Sequence, residues 1–487
     1  MNKSTLLRAA LAYGLTAAVS LTAQMAPVPA PPSSTEVAVD PNSPPLSTFD
    51  GLGAEMDPYD SPPTPERWQT IKKRLEFARF GFIRVMVNSS DYCTGLDAKG
   101  NPEYAWDQSD RRKGKGFARL TAVLDFAQSQ GVSVYLGEWA QPGKLGFTNP
   151  ADPRWARIIG GFVEYLIKRK HYTVINHFIE YNEPNGKWMW KDETPNFGQW
   201  GTGIQNLRQE LDARGLQSVT LAGPDNSGDE DWFSDSVHKM PSLFGAWECH
   251  IYIKDPFILD GSVEKQLSQS RLTILKFDPN GAAKPRILGE VGLSTGKNSA
   301  AHLQARIATF PYGVEMGDLV AQIADAGWTG ASAWMLDDEL HVDKLGHAHG
   351  WGFWDSGPSS DMTPRPWFYV WSIASRYFPK GSSILKVRCS GDTSEFRAVA
   401  AQWSSPSGNQ GTVMLINEED VPRKVTLHAS LLQGKKISAY HYFDGERPVN
   451  EDSLPVPAKI AMPAGNEKGS VSIIMPARGV ILLTTDE

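Results

Sequence analysis

The chain is poor in cysteine, has no block of like charge and has no glycine-rich phosphate loop. Each absence removes a class of explanation. Its 3 cysteines, Cys93, Cys249 and Cys389, are far apart and lack metal-ligand spacing, so neither a zinc module nor a disulfide framework organises the fold; at most one internal disulfide can form. Lys and Arg (48) are outnumbered by Asp and Glu (55), for a net charge of −7, and no basic cluster offsets this, so no nucleic-acid partner is expected. Beyond the first 26 residues no run is apolar enough to cross a bilayer. No early strand is followed by the glycine turn that a nucleotide-binding open sheet requires.

What is present begins at the N-terminus. Lys3 and Arg8 precede an apolar, alanine-rich run over 9–23, small residues follow over 20–26, and no further charge occurs until Glu36. A basic start, a short apolar centre and a small-residue exit make 1–26 a secretory signal peptide, which implies export to the periplasm or beyond and no membrane span once it is removed. Residues 27–49 read as a Pro-rich linker with a strand that can join a later sheet.

From 50 to 377 short apolar runs alternate with amphipathic ones. The strand candidates are 51–55, 82–87, 132–137, 176–181, 218–223, 245–251, 286–290 and 330–335; they are nearly continuous apolar runs, as strands buried on both faces require. Between them Leu120, Val123 and Ala127, then Ile158, Phe162 and Leu166, then Ile204, Leu207 and Leu211 recur at helical spacing. Pro65, Asp152 and Pro195 stand where helices would start. Eight such units predict an α/β fold, a (β/α)8 TIM barrel. From 378 to 487 the texture changes to short β-type runs between Gly, Pro, Asp and Asn turns, which predicts an antiparallel β-sandwich accessory domain.

In a barrel, chemistry collects at the C-terminal ends of the strands. Glu183 follows the fourth predicted strand and Glu290 ends the seventh, so the two face each other across the mouth. Two opposed carboxyls, one protonated and one ionised, are what cleavage of a glycosidic bond needs. Arg84 lies within "FIRVMV", where an unpaired charge is costly, and is expected to pair with Glu290. His250 and Tyr252 share one face of the sixth strand, the Tyr to donate to Glu290 and the His to stand near Glu183. Asn182 suits a sugar hydroxyl, Trp334 a pocket floor, and Trp139 an aromatic wall, with Glu138 an additional carboxylate beside it. The 16 tryptophans fall largely in loops, and indoles stack on sugar faces. Trp188 and Trp190 are placed on the leaving-group side, Trp351, Phe353 and Trp354 after the eighth strand. Glu55 is placed against a hydroxyl at the non-reducing side. The acidic segment 336–341 reads as a solvated loop able to hold hydroxyls or, weakly, calcium.

The ordered set Arg84, Asn182–Glu183–Pro184, His250 with Tyr252, Glu290 and Trp334 resembles the clan A glycoside hydrolases, over about 330 residues. "GEVG" is similar to family 5, "YNEPN" to family 39, and "FDGLGAE" with a trailing sandwich to family 30; Trp139 stands where family 5 usually has His. The resemblance implies a retaining hydrolase of β-linked glycans, with Glu183 as acid/base, Glu290 as nucleophile, the remaining residues around the sugar, and no cofactor or metal. Two other readings use the same residues: a metal-dependent sugar isomerase or hydrolase, and a non-catalytic carbohydrate-binding protein.

Overall fold

The computed structural model describes residues 33–106, 117–140, 143–187, 190, 194–391, 394–458 and 470–486. The expected signal peptide and Trp188 lie outside these residues. Eight strands form one sheet: β1 (Gly51–Ala54), β2 (Phe82–Val87), β3 (Ser133–Glu138), β4 (Ile175–Ile179), β5 (Thr220–Ser227), β6 (Phe244–Ile253), β7 (Arg286–Leu293) and β8 (Gly330–Ala333). Every neighbour is parallel and follows chain order around the sheet. A parallel bridge between Glu55 and Arg84 joins its two ends, with Gly81 N donating to Leu52 O and Met56 N to Arg84 O, both at 2.9 Å. The sheet is therefore the closed (β/α)8 barrel that the alternation of periods predicts. Gly53 permits the closure, since a Cβ there would lie 2.1 Å from the Phe82 carbonyl oxygen.

Helices begin where the local chemistry satisfies their first amide groups. Thr64 caps α1 (Pro65–Ala78), and Asp152 caps the helix Pro153–Glu164 by accepting from Arg154 N at 2.9 Å. Asn196, next to Pro195, caps Phe197–Ala213 by accepting from Gln199 N at 3.0 Å. Their apolar faces and the outer faces of the strands form one core that includes Leu52, Val85, Leu136, Phe178, Leu221 and Leu288.

The sandwich draws on both ends of the described chain. Ser33–Val39 pairs in parallel with Arg423–Ala429 and antiparallel with Val387–Cys389. Ser47–Thr48 extends the other sheet, in which Phe396–Ser405, Gly408–Asn417 and Gly479–Thr484 are central. Val37, Leu385, Val413, Leu427 and Leu483 fill the space between the sheets. The six-stranded sheet seats on the barrel: Tyr442 OH donates to Phe310 O at 2.9 Å, and the Tyr377 and Tyr440 hydroxyls meet at 2.5 Å. All three cysteines are free, and no described helix is long and apolar enough to cross a membrane.

Candidate active site

The site is built around Arg84. Projecting from β2, its guanidinium is fully buried and divided among four acceptors. Nη1 donates to Glu55 Oε2 and to Glu290 Oε1, both at 2.9 Å; Nη2 donates to Asn182 Oδ1 at 2.7 Å and to both oxygens of Asp225 at 3.1 Å. Burial disfavours this charge, but Asp225, Glu55 and Glu290 outweigh it and hold Arg84 protonated. One cation thus ties together the ends of β1, β2, β4, β5 and β7.

His250 supplies a second tie. Its Nδ1 stands 3.0 Å from Glu183 Oε1 and 3.6 Å from Glu290 Oε2, while Nε2 stands 3.2 Å from Asp225 Oδ1 and 3.4 Å from Glu248 Oε1. Burial again opposes the charge, and Glu290 and Asp225 overcome it, so the imidazole is held well above its usual 6.5. Tyr252 OH donates to Glu290 Oε2 at 2.6 Å. One oxygen of Glu183, one of Glu290 and one nitrogen of His250 all lie within 4.8 Å of one another.

The two carboxyls differ in surroundings. Burial lifts Glu290 to about 7, against the pull of His250 and Arg84. Burial would also lift Glu183, but the hydrogen bond and charge of His250 win and bring it below 4.5. Glu183 has φ 45° and Asp225 φ 59°, a left-handed backbone that non-glycine residues adopt uncommonly. Glu183 N donates to Asp225 O at 3.0 Å and to Asp225 Oδ2 at 3.1 Å, which holds the turn.

These groups open into a cavity of about 620 Å³. Asn182, Glu183, Glu290, Tyr252, Trp139 and Trp334 line it, with Trp351 on the wall beyond. Arg84 and His250 lie immediately beneath. Asp57 organises the aromatic wall: Oδ2 accepts from Trp139 Nε1 at 3.1 Å and stands 3.2 Å from His341 Nε2. The His341 ring in turn stacks on Trp334 at 5.6 Å.

Several expected site residues lie elsewhere. Glu55 does not reach the cavity: it is completely buried behind Arg84, and burial lifts it to about 8. Trp190 turns into the core against Tyr181, 3% exposed, with Nε1 donating to Pro184 O at 2.7 Å. Phe353 and Trp354 are core residues. Segment 336–341 is no solvated loop. Asp337 accepts from Tyr59 OH, Trp354 Nε1 and Ser356 N, and Asp338 pairs with Arg365, so these acids clamp the chain that follows β8. Glu138 is buried too, accepting from Ser89 Oγ at 2.9 Å and from Tyr92 OH.

Asp225, Asp57 and Glu248 are site residues that sequence reasoning missed, whereas His341, the last residue of the segment 336–341 expected to hold hydroxyls, does line the cavity. "PDNS" at 224–227 consists of turn-forming residues, yet it continues β5 to Ser227. The signal available was periodicity: Glu248 shares with His250 and Tyr252 the alternation of β6.

No family model and no curated protein matches the sequence. Solved structures do match. A family 30 endoxylanase from Clostridium papyrosolvens C71 superposes with a TM-score of 0.64 at 13% identity, over 93% of this chain and 100% of its own. A family 39 glycoside hydrolase from Xanthomonas axonopodis pv. citri gives 0.61 at 13%, over 93% and 97%. A family 51 α-L-arabinofuranosidase from Bifidobacterium longum gives 0.62 at 14%, over 94% and 100%. The chain has the barrel-and-sandwich fold of these glycoside hydrolases, and the likeness spreads over three families without singling one out.

Proposed function

We propose that the protein is an exported retaining glycoside hydrolase acting on β-linked glycans. The observation that carries this is the approach of Glu183 and Glu290 oxygens to within 4.8 Å. Retaining enzymes set their carboxyls about 5–5.5 Å apart, whereas inverting ones leave about 6.5–9.5 Å for a water. Glu290 attacks the anomeric carbon as Glu183 passes a proton to the departing oxygen. Water, deprotonated by Glu183, then releases the glycosyl group. Arg84 and Tyr252 both donate to Glu290, which favours its ionised form whenever it reacts. In the free site His250 keeps Glu183 low; a bound sugar that displaces water from Glu183 pushes it back up, towards the acid that the first step needs. Trp139, Trp334 and Trp351 offer apolar faces to the sugar.

The test uses Glu290→Ala and Glu183→Ala on aryl glycosides with added azide. Both variants should stay folded and lose turnover, and azide should restore part of it. The glycosyl azide from Glu290→Ala should carry the configuration opposite to the substrate, and that from Glu183→Ala the same configuration. Undiminished turnover in either variant overturns the assignment. Export rests on 1–26; sequencing the mature N-terminus of protein recovered outside the cytoplasm tests it.

A metal-dependent reading is favoured by one feature, the triplets Glu183–His250–Glu290 and Asp225–Glu248–His250, whose donor atoms converge. Against it, Arg84 already places a cation on Glu290 and Asp225. Loss of activity with EDTA and its recovery with a divalent ion would favour the metal reading.

A further inference from the structure

Five carboxyls, Glu55, Glu183, Asp225, Glu248 and Glu290, press on two cations, Arg84 and His250. Buried charges persist only when paired, so some of these acids hold protons. Glycosidic cleavage assigns work to Glu183 and Glu290, and Asp225 positions them. Glu248 has no part in that chemistry.

Glu248 and Asp225 lie side by side. Glu248 projects from β6 and is completely buried, as is Asp225 at the end of β5. One oxygen of each and one nitrogen of His250 lie within 4.8 Å of one another. Gly289 on β7 leaves the room for this, since a Cβ there would meet Glu248 Oε1 at 1.7 Å. Two like charges so close, and away from water, do not both persist.

The donors decide which acid keeps the proton. Asp225 receives Arg84 Nη2 at 3.1 Å on both oxygens, Glu183 N at 3.1 Å and His250 Nε2 at 3.2 Å. Glu248 has only His250 Nε2, at 3.4 Å, and neither of its oxygens accepts a hydrogen bond among the described residues. Ionised, it would be a bare charge inside the barrel; protonated, its hydroxyl has Asp225 as an acceptor. Burial and Asp225 accordingly lift Glu248 to about 8, whereas Arg84 and His250 overcome burial and hold Asp225 well below its usual range. The other titratable groups around Glu248 are Arg84 from β2, Tyr135 from β3 and Cys249 beside it on β6. Arg84 directs its terminal nitrogens at its four acceptors, and neither the phenol nor the thiol brings a positive charge.

We propose that Glu248 is a positioning residue kept as a neutral carboxylic acid, donating to Asp225 so that Asp225 stays charged and holds His250 with Nδ1 towards Glu183. Neutral, it closes the Nε2 side of the imidazole without competing with Glu183 for its charge. The consequence for Glu183 rests on the glycosidase reading; the neutral acid rests on the crowding of Asp225 and Glu248.

The full chain, dialysed against EDTA, is compared with Glu248→Gln and Glu248→Ala. In infrared difference spectra at neutral pH the wild type should show the carbonyl stretch of a protonated carboxyl that Glu248→Gln lacks. That band should fade as the pH rises through about 8. On an aryl glycoside Glu248→Ala should lose roughly tenfold in kcat/KM, because Asp225 loses a donor and the imidazole one wall. Glu248→Gln, which offers a donor in the same place without charge, should recover most of that loss. Absence of the band, a Gln variant no more active than the Ala variant, or a divalent ion that restores EDTA-treated enzyme overturns the proposal. The band in a chain that turns over no glycan supports the neutral acid and counts against the glycosidase reading; turnover without the band does the reverse.

Discussion

Arg84 Nη2 stands 3.1 Å from each carboxylate oxygen of Asp225, a bidentate pair beneath the cleft floor. Through it the end of β5 is coupled to Glu290, which receives the other terminal nitrogen of the same guanidinium. Asp225 also meets His250 and the Glu183 backbone, so it positions both carboxyls without touching substrate.

Asp225→Asn removes the charge and retains the volume. A charge-assisted hydrogen bond contributes about 1.5–3 kcal/mol, so kcat/KM should fall by roughly ten- to a hundredfold. Because His250 loses a partner that keeps it protonated, the pH profile should shift as well. A fall in activity with an unmoved profile would reduce Asp225 to a packing role.

The alkaline limb of the activity profile follows Glu290. It acts as a nucleophile only when ionised, and burial lifts it to about 7, whereas Glu183, which must be protonated, is held below its ordinary value in the free site. Between the two the gain in one form cancels the loss of the other, so kcat/KM on a neutral aryl glycoside should be level below about 7 and drop about tenfold for each further pH unit above it. A steady fall from pH 7 down to the ordinary carboxylate range would contradict this assignment.

Stability should fall on the same side. Burial raises Glu55, Glu138 and Glu248 to about 8, and Asp57 and Glu290 to about 7. With these groups the folded state holds protons that the unfolded chain, titrating at its ordinary carboxylate values, releases. Their contribution is complete below the unfolded values and is lost as pH rises through 7 and 8. Glu183 and Asp225 are lowered and act in the opposite sense below their unfolded values. Thermal unfolding followed by circular dichroism should therefore peak at mildly acidic pH and decline by a few degrees, about 2–4 °C for each kcal/mol, towards alkaline pH.

Trp190 and Trp334 should respond differently to substitution. Trp190 is core, and Trp190→Ala should cost about 3–5 kcal/mol of stability. Trp334 lines the cavity, so Trp334→Ala should raise KM or lower kcat by far more than it lowers the melting temperature. Denaturant melts paired with kinetics of the two variants would decide, and comparable stability losses in both would contradict the division.

Fold and site were legible to different degrees. The eight strand-then-helix units follow from local periodicity, because burial on both faces demands continuous apolar runs and amphipathic helices demand recurrence at three and four residues. That periodicity also put Glu183 and Glu290 at strand ends, and Arg84 in a place where only an ion partner makes it tolerable. Sequence alone thus determined the barrel, the rim and its opposed carboxylates. Tertiary structure decided which side chains face the cleft. Glu55 and Trp190 have the composition of binding residues but turn inwards, because Arg84 and Tyr181 occupy the space beside them. Asp225 reads as a turn residue and has the left-handed backbone of one, but it sits as an unpaired bulge within β5, between Pro224 and Asn226, which both pair with β6. The acids of 336–341 read as solvated but are buried by Tyr59, Trp354 and Arg365. Each of these outcomes depends on atoms brought close from elsewhere in the chain, a relation that composition and spacing along the chain do not contain.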